Sequence, residues 1–241
     1  MIDLFNKLVE SLRRNMGTTK PFKSLIFEQL ARVGKALAHG NRLELLEFLA
    51  QGERSVEALA QVSKLTVANT SQHLQILRQA GLVETRREGQ RIHYRLADGR
   101  VVALLAVMRE LAEDHVADIE KLITLYLTSR DGMDPIPARE LLELARAGSV
   151  TVLDVRPGEE YAAGHLPGAI NIPLKDLEAN LARFPAGQEV VAYCRGPWCV
   201  LAFDAVAQLR ARGVKARRLQ DGLPEWRLAG LPVELGFNSN E

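Results

Sequence analysis

The sequence holds two cysteines, Cys194 and Cys199, and both lie in the six-residue segment CRGPWC. Two cysteines in so short a stretch make no disulfide framework, and in a reducing compartment such a pair is expected to be reactive rather than structural. The apolar run EVVAY precedes the segment and the periodic stretch VLAFDAVAQLRAR follows it, so a strand leads into the loop and a helix leads out. Backbone N–H groups at a helix start, together with the helix dipole, stabilise an anion. A thiolate is such an anion and so is a persulfide. The setting is therefore expected to lower the Cys194 thiol pKa and make Cys194 a nucleophile. Gly196 permits the backbone angles of a cradle, and Arg195 offers a positive charge to an anionic sulfur donor such as thiosulfate. Cys199 has two readings: a resolving thiol that attacks a persulfide on Cys194, or a small buried hydrophobe.

A second chemistry is carried by the helix that Thr66 caps and Gly81 ends. Its inward stripe is Thr70, Leu74 and Leu77. The opposite face presents Ala68, Ser71, Gln72 and Gln75, small or amide side chains suited to base edges in a major groove. Between Lys64 and Arg95 stand six basic side chains, Lys64, Arg78, Arg86, Arg87, Arg91 and Arg95, against Glu84 and Glu88. This local positive excess suits phosphates, and Arg78, Arg86, Arg87 and Arg91 are the expected contacts.

The elements that must position these groups follow from the periodicity. Phe22, Leu25, Ile26, Leu30, Val33 and Leu37 mark one helix, and Leu43, Leu46 and Leu49 a second. Ser55 caps SVEALAQVS, which turns at Ser63-Lys64-Leu65 into the helix after Thr66: two short helices around a tight turn. Leu82 to Arg86 and Ile92 to Leu96 alternate as strands around Arg87-Glu88-Gly89-Gln90, a hairpin wing. One long helix is expected from Val101 to Tyr126, with an apolar stripe that calls for a partner helix. Beyond the Gly- and Pro-rich stretch 128–137, helices alternate with the strands SVTVLDVR, IN, EVVAYC and VKARRL, and a further helix is expected near Leu174 to Phe184. That alternation implies a parallel sheet. The fold class is therefore two domains: a mainly α winged helix-turn-helix, then an α/β domain. The boundaries are 1–19 for an N-terminal extension, 20–127 for DNA binding and dimerisation, 128–137 for a linker and 138–235 for the second domain.

The run SQHLQILRQAGLV followed by a basic hairpin ending in HYRL resembles the arsenic-repressor (ArsR/SmtB) family of winged-helix regulators, over roughly residues 20–127. The pieces LDVRPGEEYAAGHLPGAINIP, VVAYCRGPWCV and DGLPEWRLAGLPV are similar, in order and spacing, to a single rhodanese domain. The first resemblance implies a palindromic double-stranded DNA operator and a homodimer. The second implies sulfane sulfur carried on Cys194, with Asp154 and Arg156 of the DVR segment beside the loop, either as a structural ion pair or as substrate contacts. His165 is assigned to a turn and Trp226 to the core. Many members of the second family carry Arg, Thr or Ser where Cys199 stands, and related phosphatases need a longer loop than Val200 allows.

Metal sensing, common in the first family, is not expected. No cysteine lies within Ser55 to Ser63, and Arg100 and Leu111 stand where histidines are implied. Asp98 alone cannot hold zinc, which takes about four ligands. His115 with Asp114 and Asp118 reads as a surface charge run. No cofactor is expected. The net charge of +1 over 241 residues excludes a uniformly basic coat, and no apolar run approaches the roughly 20 residues of a membrane span. With no signal peptide either, the expected location is cytoplasmic, with no membrane partner. The function expected is a DNA-binding regulator coupling sulfur or redox status to transcription through sulfane sulfur taken from thiosulfate or a persulfide. Two alternatives stand beside it: a working sulfurtransferase whose DNA-binding half governs its own expression, and a rhodanese fold that only docks a partner.

Overall fold

The computed structural model describes residues 20–128, 135–185 and 187–236; the expected extension 1–19 and residues 129–134 of the expected linker lie outside them. The first domain opens with α1 (Phe22–Leu37) and α2 (Gly40–Gln51). A two-residue strand β1 (Arg54–Ser55) leads into α3 (Val56–Ser63), capped by Ser55 Oγ accepting from Ala58 N at 3.2 Å. Lys64 makes the turn in the left-handed region at φ 57, and Thr66 Oγ1 caps α4 (Val67–Gln79). The wing is β2 (Val83–Glu88) and β3 (Arg91–Leu96), longer than expected because Gly89, at φ +60, closes the hairpin with only Gln90 beside it. The sheet runs β1-β3-β2, antiparallel throughout. Leu45, Leu46, Leu59, Leu74 and Leu77 are fully buried at the centre of this domain, so the inward stripes lie where helical spacing puts them.

The long helix expected from Val101 to Tyr126 is broken. It consists of α5 (Arg100–His115), α6 (Ala117–Ile123) and a π turn at Thr124–Thr128. Val116 sits between the helices at φ −110, ψ 96, an extended conformation that no helix interior accepts. A β-branched residue tolerates that conformation well, which is why an unbroken apolar period failed to reveal the joint.

In the second domain α7 (Ala138–Arg146) precedes β4 (Val150–Asp154), α8 (Gly158–Ala162), β5 (Ile170–Asn171), β6 (Glu189–Tyr193), α9 (Val200–Ala211), β7 (Ala216–Arg218) and α10 (Leu223–Leu228). The parallel sheet has the order β5-β4-β6-β7. Both faces are covered, one by α9 and the other by α7 and Trp226, which explains the continuous apolar runs of β4 and β6. The helix expected at Leu174 to Phe184 is two 3₁₀ turns, Leu174–Asp176 and Glu178–Arg183. Ile136, inside the expected linker, is fully buried and bridges to Leu219, so it packs with this domain.

The domains meet along one seam. The end of α2 packs against the CRGPWC loop, and α5 packs against that loop and α10 through Trp198–Glu113 and Arg109–Glu225. At Gly52 a side-chain Cβ would stand 2.9 Å from the Cβ of Ala163, so a side chain there forces one of the two segments to shift. Leu74→Ala is expected to destabilise the winged-helix domain by about 2–5 kcal/mol, since a fully buried leucine leaves a cavity. Urea denaturation of the full chain followed by circular dichroism checks it; a loss under about 1 kcal/mol would place Leu74 outside the core.

Candidate functional site

The strand–loop–helix expected around the cysteines is present: β6 ends at Tyr193, and Cys199 is the N-cap of α9. Both cysteines are free thiols and buried, Cys194 at 2% exposure and Cys199 at 9%. The cradle serves both sulfurs. Backbone N–H groups of Gly196 and Ala202 face Cys194, and those of Arg195 and Leu201 face Cys199. The lowered pKa expected at Cys194 is not what the geometry gives. Burial pushes the Cys194 thiol up, and its hydrogen bond to Cys199 pushes it further. That same hydrogen bond, with two backbone N–H groups and the Arg195 charge, draws the Cys199 thiol below its ordinary range. The two shifts run in opposite directions and share one cause, the contact between the thiols, so the cysteines titrate as a pair.

Asp154 and Arg156 form a fully buried ion pair, Arg156 Nε donating to Asp154 Oδ1 at 3.0 Å. Arg156 also donates to Gly164 O at 2.8 Å and to Gln51 Oε1 at 3.0 Å, while the Tyr193 hydroxyl donates to Asp154. The pair therefore braces the strand before the loop, with no atom open to a substrate. Arg195, expected to receive an anionic donor, is instead held by the buried Glu160, with Nε to Oε1 at 3.0 Å, and its guanidinium lies 5.1 Å from the centre of the Phe48 ring. Glu160 also pairs with Arg54 of β1 at 2.8 Å. Gly222, in the DGLPEW segment, backs the loop: a Cβ there would come within 2.4 Å of the Arg195 carbonyl.

Gln51 was not found from sequence. It is fully buried at the end of α2, where Nε2 donates to the Arg195 carbonyl at 3.1 Å while Oε1 accepts from Arg156. A glutamine at a helix C-terminus is an ordinary solvated residue in any periodic pattern, so only the packing of the second domain gives it a role. Arg54 and Glu160 escaped notice for the same reason.

On the winged helix, Ala68, Gln72, Gln75 and Arg78 lie exposed along α4, with Ser71 half-buried beside them. Arg86, Arg87 and Arg91 are exposed on the wing. Arg86 is engaged by Glu53 at 2.6 Å and Glu88 at 2.8 Å, whereas among the described residues Arg87 reaches only the Gly89 carbonyl. His73 is buried beside His39, with ring centres 4.6 Å apart, and so packs rather than meeting phosphate. Asp98 pairs with Arg100 at 3.0 Å.

Because the Cys194 hydrogen bond is the largest influence lowering Cys199, Cys194→Ala is expected to raise the Cys199 pKa. The pH midpoint of Cys199 alkylation, read by mass spectrometry, should move upward in that variant; an unmoved midpoint would show that the thiols titrate independently.

Residues 39–85 match the family described as bacterial regulatory protein, arsR family, and residues 137–229 match the rhodanese-like domain. The HTH-type transcriptional regulator Rv0324 of Mycobacterium tuberculosis is 50% identical over 214 residues, covering 89% of this chain and 94% of the relative. A sulfurtransferase of Allochromatium vinosum is 30% identical over 91 residues, 37% of this chain and 83% of the relative. Among solved structures, the homodimeric winged helix-turn-helix domain of Mb0332 from Mycobacterium bovis is 45% identical, covering 41% of this chain and 92% of that one, with a TM-score of 0.38. The chain thus belongs to the ArsR family of winged-helix transcriptional regulators, and it carries a rhodanese-like domain C-terminal to the DNA-binding one.

Proposed function

We propose that the chain is a homodimeric cytosolic regulator in which sulfane sulfur on Cys194 changes the affinity of the winged helix for a palindromic operator. The observation that carries this reading is the hydrogen bond, 3.1 Å long, from the fully buried Gln51 of α2 to the Arg195 carbonyl, which joins the DNA-binding domain to the cysteine loop itself. A displaced loop must break it or move α2. The Arg54–Glu160–Arg195 chain adds a second tie, ending on the strand that pairs with β3 of the wing.

The thiol pair supports the chemistry. The Cys199 thiolate takes the Cys194 proton as Cys194 attacks the outer sulfur of a donor; the donor's own bond to that sulfur breaks, sulfite leaving from thiosulfate or a thiolate from a persulfide, and Cys194 is left as a persulfide. Cys199 then attacks the Cys194 sulfur, a Cys194–Cys199 disulfide forms and hydrogen sulfide leaves, the sulfane sulfur itself being reduced. Burial of both sulfurs under the seam favours a slow carrier over a rapidly turning enzyme.

For the DNA, Ala68, Ser71, Gln72 and Gln75 would meet base edges while Arg78, Arg87 and Arg91 meet phosphates; Arg86 must first leave its two glutamates. Dimerisation draws on the exposed apolar side chains Phe22, Ile26 and Leu30 of α1 and Leu104, Val107 and Leu111 of α5.

Cys194→Ser is expected to abolish any response of operator binding to a persulfide donor, with reduced wild type and variant binding equally in a fluorescence anisotropy titration. Persulfidated wild type binding with the affinity of the reduced form would defeat the reading. Arg87→Ala should weaken binding to every sequence and lower the salt slope by about one, whereas Gln72→Ala should relax base preference; titrations across salt and site variants separate the two.

A further inference from the structure

At the seam lies a cavity of about 330 Å³ whose floor is the cysteine loop, at Arg195, Pro197 and Trp198, and whose walls come from α2 and α5 of the DNA-binding domain. Its lining is mainly apolar and includes Leu43, Leu105, Met108 and Trp198. The charged groups in it are unevenly matched. Arg109 is taken by Glu225 at 3.2 Å and Arg195 by Glu160 at 2.7 Å. The Glu47 carboxylate has no hydrogen-bond or ion-pair partner among the described residues, although the Glu47 backbone carbonyl accepts from Gln51 Nε2 at 3.2 Å, and burial pushes the carboxyl up from the usual range. A Cβ placed on Gly196 would lie 3.7 Å from Glu47 Oε1 and 4.0 Å from Glu225 Oε1, so two carboxylates stand directly against the loop.

We propose that this cavity is the donor site for Cys194, that it takes an organic persulfide with an uncharged apolar body, and that Glu47 excludes inorganic dianions such as thiosulfate. The inference rests on the reading of Cys194 as a sulfane-sulfur carrier and adds the donor class and the residue that selects it. A dianion entering here meets carboxylates whose nearest cations are already neutralised, and it gains nothing from apolar walls. An apolar thiol body of about ten non-hydrogen atoms fits the volume and places its sulfur against the loop that carries Cys194; because that thiol is buried, transfer requires the loop to move at Gly196 and Pro197. In the transfer, the Cys194 proton passes to the Cys199 thiolate and Cys194 attacks the outer sulfur of R–S–SH. The new sulfur–sulfur bond forms as the old one breaks, and RS⁻ departs. The DNA-binding domain would thereby choose what its own sensor reads.

The test measures uptake of one sulfur on Cys194 by intact mass at pH 8, from benzyl persulfide and from thiosulfate. In Glu47→Gln the ratio of thiosulfate to benzyl persulfide rates should rise about tenfold, the size expected for removing one nearby charge from the path of a dianion. In Ala112→Phe, which fills the cavity from α5, the ratio should also rise about tenfold, here through loss of the benzyl rate. A ratio unchanged in either variant overturns the proposal. Saturable binding of benzyl methyl sulfide, an unreactive stand-in, measured by saturation-transfer NMR, should occur with wild type and be lost in Ala112→Phe; no binding to wild type overturns the cavity as a site. If the thioether binds but neither donor loads Cys194, the carrier reading fails while the cavity stands.

Discussion

A guanidinium with no access to water must find a partner for nearly every donor it carries, and Arg156 finds its partners in three separate parts of the chain. Asp154 supplies the charge, the Gly164 carbonyl takes another N–H, and Gln51 of the DNA-binding domain takes a third. Removing one partner of such a group leaves a buried donor unsatisfied and costs on the order of 1–3 kcal/mol, more where the donor is charged. The second domain is therefore complete only with α2 seated against it. Gln51 has a second atom to satisfy, and it does so on the carbonyl of Arg195. The demand of one buried charge thus fixes where the cysteine loop meets the helix above it.

The two thiols follow from the same seating. A cradle at a helix start was expected to favour a Cys194 thiolate, but Cys194 lies deeper than Cys199, and burial outweighs the amides that face it. Cys199, at the N-cap itself, takes the negative charge with help from its neighbour and from Arg195. Burial and the contact between the thiols push the two in opposite directions, so neither titrates alone.

The sequence made the order of elements legible, because buried stripes such as Thr70, Leu74 and Leu77, caps at Ser55 and Thr66, and the paired turns at Gly81 and Gly89 act over a few residues each. The CRGPWC loop could be placed for the same local reason. Features that depend on contact between distant parts could not be read. The break at Val116 leaves the apolar period intact, and the short helix α8 is too brief to show one. Arg195 looked like an open cation because nothing near it in the chain announces Glu160, 35 residues away, or the ring of Phe48. Gln51, Arg54 and Glu47 are polar residues on or beside a surface helix until the second domain arrives and gives them partners or a cavity.

Gly52 gives the seam an unusual genetic fragility. A single added methyl there would push against Ala163, between Gln51 and Arg54, whose side chains bond across the seam. Such a replacement works as a wedge: each domain keeps its own core, yet the two are pried apart at the point where Gln51 and Arg54 reach across. One nucleotide change, glycine to alanine, would in this way load the contacts by which the two halves meet, those of Gln51 and Arg54 first.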